Sequence, residues 1–315
     1  MATVVFITAH SAAMLGLARV LSGIAVGAVL SAGMAAVTDL APDDEKKLAS
    51  LIASTSMVAG AAVGPLLTGV LSQTLPYPTL TVFVLQFVLL LVAALLVMRM
   101  PLPRRSATVD GPKQRLLRLP SASRANRREL LVSLAVFAPA ITATGFVLSL
   151  GPSLLAQLLG TDNRLMSGGL IFVLFAAATG IQFAVRRLPV VTLFNLGAAL
   201  TVAGMAALIC AVATTSVPLL LAAAVLSGCG QGASQLGGLS TLAAVVPSAR
   251  LGEANAALTA GGYLLAGTLP VADGYLSDAA GLTAGTTVFG IVIAVLAALG
   301  ALTAITTPYR QPSAP

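Results

Sequence analysis

Apolar positions along this chain do not alternate with polar ones; they run on. TLTVFVLQFVLLLVAALLVM (79–98) and TTVFGIVIAVLAALGALTAI (286–305) hold no charged residue, and each reaches the ~20 apolar residues that cross a bilayer as a helix. In lipid such a run must satisfy its backbone hydrogen bonds internally, which a helix does. The pattern predicts nine full spans, at 11–40, 49–72, 79–100, 130–159, 166–185, 190–213, 218–246, 254–277 and 285–306. The opening MATVVFITA is apolar but too short to cross. It lacks the basic start and the small-residue cleavage pattern of a signal peptide. The expected fold class is all-α, a polytopic transmembrane helical bundle.

Composition supports the pattern: 57% of residues are hydrophobic, 9% are charged, and the mean hydropathy is +0.99. A soluble domain carries about 25% charged residues, so this chain cannot cover a water-facing surface. The formal net charge of +7 matters through its placement. Alternate connections collect Lys46, Lys47, Arg99, Arg186, Arg187, Arg250 and the basic segment around 100–129, whereas the opposite connections receive only Arg164. That asymmetry is the positive-inside pattern, which places the basic loops and the C-terminus in the cytoplasm. Charges confined to loops give no footprint for nucleic acid; contact of the central loop with lipid headgroups is the alternative to a plain orientation signal. High alanine and the lack of a eukaryotic sorting signal suggest a bacterial cytoplasmic membrane.

The chain also repeats itself. VLSGIAVGA (20–28) returns at 225–233 as VLSGCGQGA, and the register continues without a gap. Gly33 falls on Gly238, Pro42 on Pro247, Ala61 on Ala266 and Pro65 on Pro270, and TGVLSQ (68–73) lands on DGYLSD (273–278). Duplicated helical bundles are a recurrent architecture of secondary transporters, with the substrate near mid-membrane where the repeats meet. The expected organisation is therefore 1–100 as the remainder of an N-terminal helical half, 101–129 as a basic cytoplasmic loop, 130–307 as a C-terminal six-helix half and 308–315 as a cytoplasmic tail. The counterpart of the span near 130 would lie about 75 residues before Met1, so the first half is expected to be truncated, by a misassigned start or a natural one.

A few residues stand out against this background. Arg19 sits inside an apolar span, where insertion scales charge about 2.5–3.5 kcal/mol for a central Arg. Two readings stand: a functional charge, or a side chain snorkelling to the interface. In the second copy its place is taken by Ala224. Gly60, Gly64 and Gly69 remove side chains at helical spacing, and Pro65 removes a backbone hydrogen bond. They read either as a bent, sealed helix or as ordinary small-residue packing. In 218–246, Ser227, Gln231 and Gln235 recur every four residues with Ser234 beside them, and in 130–159 Thr142 and Ser149 are seven apart. These polar stripes line a cavity or bond neighbouring helices. The spans 79–100 and 285–306 have no such stripe and read as lipid-facing. Asp39, Asp273 and Asp278 lie near span ends, so no carboxylate that titrates within the core is visible. His10 aligns with an outer loop. Cys210 and Cys229 fall at different depths, which argues against a disulfide, and no metal or cofactor motif is present.

Three features make the chain resemble the major facilitator superfamily (MFS). RVLSG (19–23), with Gly23 four residues after Arg19, resembles the family's helix-4 motif, with Ser22 where Gln is common. GAAVGPLLTG (60–69) resembles its helix-5 antiporter motif, with Thr68 in place of a second closing Gly. The layout of helices about a basic central loop is the third. The resemblance implies two pseudo-symmetric six-helix halves, here from the end of helix 3 to helix 12, with helices 1, 2 and most of 3 absent. It implies secondary transport by alternating access, and export through the helix-5 motif. It gives Arg19 a part in proton coupling or substrate contact, with Ser227, Gln231, Gln235, Thr142 and Ser149 as further candidates for substrate or coupling. Gly23, Gly60, Gly64, Pro65 and Gly69 are then the packing and gating set, and Asp39 a charge at the cytoplasmic end of its span. The expected partners are a small amphipathic or hydrophobic solute, a proton or other coupling ion and the bilayer, with the protein working as a monomer. The alternatives are a transport-inactive fragment and an integral membrane enzyme. Against the enzyme stand one His, dispersed acids and unpaired thiols.

Overall fold

The computed structural model of the chain describes residues 2–11, 14–26, 29, 46–99, 126–160 and 163–306; Asp39, nearly all of the segment 101–129 and the tail 308–315 lie outside them. The described residues form helices and no strand. In chain order these are α1 (Ala2–Ile7), α2 (Met14–Val26), α3 (Lys46–Thr74), α4 (Pro78–Arg99), α5 (Arg127–Leu159), α6 (Arg164–Val185), α7 (Val190–Ala213), α8 (Val217–Val245), α9 (Ser248–Ala280) and α10 (Leu282–Thr306). They divide into two compact units, Met1–Gln114 and Arg115–Pro315.

Six of these helices, α4, α5, α6, α7, α8 and α10, are long and apolar enough to cross a membrane. They account for six of the nine expected spans. The helices at the other three positions are less uniform. α3 and α9 have the length, at 29 and 33 residues, but α3 opens on Lys46 and Lys47, and α9 carries Arg250, Glu253, Asp273 and Asp278. Each also holds a proline inside, Pro65 and Pro270. Of the expected span 11–40, the apolar helix Met14–Val26 is described.

Helix ends follow their local chemistry. α5 stops at Gly160, whose φ of 63° suits a residue without a Cβ, and whose N–H donates to the Ala156 carbonyl. α6 starts at Asn163, whose side-chain oxygen accepts from the Met166 N–H at 3.1 Å. The α9–α10 turn pivots on Gly281, at φ 90°, whose N–H donates to Ser277.

The second unit is built around α8. On one side α7 packs against it in antiparallel register, with Phe194, Gly197, Thr201 and Gly204 facing Gly237, Ser234, Gly230 and Ser227 in turn. The steps alternate three and four residues, the spacing of a helix–helix seam, and a glycine on one side or the other at every level lets the backbones close. A Cβ at Gly204 would come within 2.7 Å of the Ser227 Oγ and 3.0 Å of its amide nitrogen. On another side α6 runs parallel to α8, and Gly228 and Gly232 sit against the backbone carbonyls of Leu174 and Ala178. Gly238 meets Leu258 of α9 and Ser133 of α5. α5 and α9 run parallel, with Gly261 on Leu134 and Gly262 on Phe137.

Apolar side chains fill what the glycines leave. One cluster joins Phe146, Leu154, Leu174, Met205, Leu208 and Phe289 from α5, α6, α7 and α10. Phe146 and Phe289 stack at 4.0 Å between ring centroids. A second joins Phe137, Ile141, Leu242, Leu258 and their neighbours on α5, α8 and α9. α10 buries Phe289, Ile293 and Ala297 and exposes Ile291, Val295 and Leu302, so one of its faces is core and the other apolar surface.

The first unit is more open. α4 exposes Phe87, Leu89, Leu91, Leu95 and Leu96, a surface for lipid rather than water. Phe83 of α4 stacks on Phe6 of α1 at 5.4 Å between centroids.

Candidate functional site

In the first unit the candidate chemistry gathers at α2. Arg19 is exposed, and its guanidinium carbon lies 5.6 Å from the centroid of the Phe6 ring. Phe6 in turn lies on Phe83, so an apolar aromatic pair holds the charge in place. A cation over an aromatic face gains about 0.5–1 kcal/mol when exposed and about 2 when desolvated. That offsets only part of the about 2.5–3.5 kcal/mol charged for an Arg at mid-span.

The glycine motifs of this unit have room around them. Among the described residues nothing lies within 4 Å of a Cβ placed at Gly23, Gly60 or Gly64. Gly69 is buried, and Pro65 is half-buried inside α3. Asp39 lies outside the described residues.

In the second unit α8 distributes its polar residues over different faces. Ser227 is fully buried and directed at Gly204 of α7, and Ser234 is fully buried and directed at Gly197. Neither hydroxyl oxygen has a hydrogen-bond partner among the described residues. Gln231 and Gln235 are half-buried and bonded to each other, Nε2 of Gln231 donating to Oε1 of Gln235 at 3.5 Å. The Oε1 of Gln231 is buried without a partner. At 3.6 residues per turn this amide pair falls between the α6 face, marked by Gly228 and Gly232, and the α7 face, marked by Ser227 and Gly230. The structure thus keeps Gln231 and Gln235 together and turns Ser227 away from them.

On α5, Thr142 is buried, and its hydroxyl donates to the Ala138 carbonyl at 2.6 Å. Ser149 is exposed, and its hydroxyl donates to the Phe146 carbonyl at 3.1 Å. Both return their hydrogen bonds to their own helix. Cys210 is exposed, Cys229 is half-buried, and both thiols are free. Among the described residues no group of three or more His, Cys, Asp and Glu gathers.

One carboxylate is more enclosed than its place near a span end implies. Asp273 was expected near a span end, but α9 continues to Ala280 and Asp273 is only 5% exposed. Its Oδ2 accepts from the Ser277 hydroxyl at 3.4 Å, and its Oδ1 is buried without a partner. The signal that could have found it is the repeat register, where Asp273 replaces Thr68.

The family model of the Major Facilitator Superfamily matches residues 1–189, from the first unit through α6. No curated protein matches the chain.

Proposed function

Because the chain belongs to the major facilitator superfamily and is a multi-pass membrane transporter, we propose that it is a proton-coupled exporter of small amphipathic or hydrophobic solutes, working by alternating access in a bacterial cytoplasmic membrane. The observation that carries this reading is the Gln231–Gln235 amide pair. α8 is otherwise given over to close packing, yet it keeps two half-buried amides, one with a free acceptor oxygen. An amide pair among small and apolar side chains offers acceptors without a fixed charge of its own, and suits an amphipathic solute that carries N–H donors, such as the aromatic amines of ethidium. A side-chain hydrogen bond between residues i and i+4 of one helix is worth about 0.2–0.5 kcal/mol, too little to repay burying an unsatisfied amide oxygen, which costs about 1–3 kcal/mol. A solute that supplies the missing donor fits that deficit.

Arg19 supports the coupled part of the reading. Its cation–π contact returns less than its placement in an apolar helix costs, so stability alone does not explain it. The export direction comes from the likeness of GAAVGPLLTG to the antiporter motif. The test is accumulation of ethidium by the full chain in phosphatidylcholine liposomes under an imposed pH gradient. Accumulation that collapses when the gradient is dissipated is the expected result. Accumulation no greater than in protein-free liposomes would overturn the reading.

A further inference from the structure

Asp273 lies two turns before the end of α9, on a face that meets α10. Ser277, one turn on, packs against Gly285, where an added Cβ would collide with the serine hydroxyl. The next residue of α10, Thr286, is fully buried, and its Oγ1 has no partner. Asp273 and Ser277, one turn apart, therefore share the face of α9 that meets Gly285, while Thr286 is turned about 100° round α10 from that contact. The hydrogen bonding they share is one long contact, Ser277 Oγ to Asp273 Oδ2.

Among the described residues no ion pair reaches Asp273; the pair Arg250–Glu253 belongs to the opposite end of α9. α10 has no titratable side chain, α5 has none between Leu130 and Leu159, and α8 has only Cys229. On α9 itself Tyr263, Tyr275 and Asp278 are exposed. An unpaired carboxylate in apolar surroundings is costly enough that such groups neutralise instead. A hard metal cation would take about six oxygen ligands, more than Asp273, Ser277 and Thr286 supply. A proton needs one oxygen.

We propose that Asp273 is a proton-binding site at the α9–α10 contact. The carboxylate takes a proton from water at the C-terminal end of α9 and stands as a neutral acid while the helices are closed at Gly285. It returns the proton when that contact opens to water. Its proton occupancy is argued from its burial and from the lack of an ion pair among the described residues; its use in coupling rests on the transporter reading above.

The test is pH-difference infrared spectroscopy of the full chain in phosphatidylcholine liposomes. The wild type should show the C=O stretch of a carboxylic acid that Asp273→Asn removes and that the exposed-site variant Asp278→Asn retains. Ser277→Ala, which takes away the one hydrogen bond to the group, should move the band to higher wavenumber. A wild type without such a band, or a band unchanged in Asp273→Asn, overturns the proposal. If Asp273→Asn fails to fold, a band unmoved by Ser277→Ala overturns it in its place. A band assigned to Asp273 in a protein that accumulates no ethidium would instead overturn the transporter reading and leave the proton site standing.

Discussion

Gly23 and Gly228 hold equivalent places in the two copies of VLSG. A Cβ at Gly228 would strike the Leu174 carbonyl of α6, whereas among the described residues nothing lies within 4 Å of one at Gly23. The same four residues are a tight helix contact in one unit and meet no second helix among the described residues of the other. A glycine locks helices only where a second backbone comes to meet it. The charges divide differently. Arg19 of the first copy answers to Ala224, fully buried in the second, and Thr68 of the first answers to Asp273. The VLSG residues are common to both copies, whereas Arg19 and Asp273 are each held by one copy only.

The largest effects should come from forcing one copy to resemble the other. Ala224→Arg puts a cation at a fully buried core position, at a cost of at least about 2.5–3.5 kcal/mol on insertion scales, and overpacking adds about 1–3 more. It should abolish recovery of monodisperse protein in detergent size-exclusion chromatography. Gly228→Leu should do the same, because the obstructing atom is a backbone carbonyl that cannot rotate away, while Gly23→Leu should leave recovery unchanged. Equal damage from the two glycine substitutions would erase the contrast between the copies.

Arg19→Ala comes next. Membrane insertion should be unaffected, and gradient-driven ethidium accumulation should fall about tenfold or more, equivalent to about 1.4 kcal/mol. Unchanged accumulation would reduce Arg19 to a side chain resting on Phe6. Gln231→Leu should raise the ethidium concentration for half-maximal uptake a fewfold, consistent with one hydrogen bond of about 0.5–1.5 kcal/mol, with little effect on melting. The smallest effect is expected at Gly64→Leu, which meets nothing within 4 Å among the described residues and should stay within about 0.5 kcal/mol of the wild type, read as an unchanged Tm.

The helices were legible because runs of apolar residues carry the signal directly, and α4 to α10 begin and end close to where those runs do. The use of each helix face was less so. Ser227, Gln231 and Gln235 read as one stripe, but each step of four residues turns the helix about 40° past a full turn. Two steps carry the stripe from the α7 seam toward the α6 face, so the serine lies in the seam and the glutamines lie between the two faces. The α7–α8 seam itself was hidden because its small residues look like ordinary composition until the partner helix is in place. Gly60 and Gly64 were expected to bring another helix close, and among the described residues none comes. Asp273 was legible as a carboxylate near a span end, but its burial was not, because the packing of Ser277 on Gly285 depends on α10 folding back over that end. Arg19 was legible throughout, since a charge within an apolar run needs no partner to be seen.

Proton flux driven by a solute gradient is the most direct test. Liposomes containing the full chain and an entrapped pH dye would be given an ethidium gradient with no initial pH difference. Coupled exchange predicts proton movement opposite to ethidium, in proportion to it, and lost in Arg19→Ala. Ethidium crossing through the protein while the internal pH stays constant would contradict proton coupling.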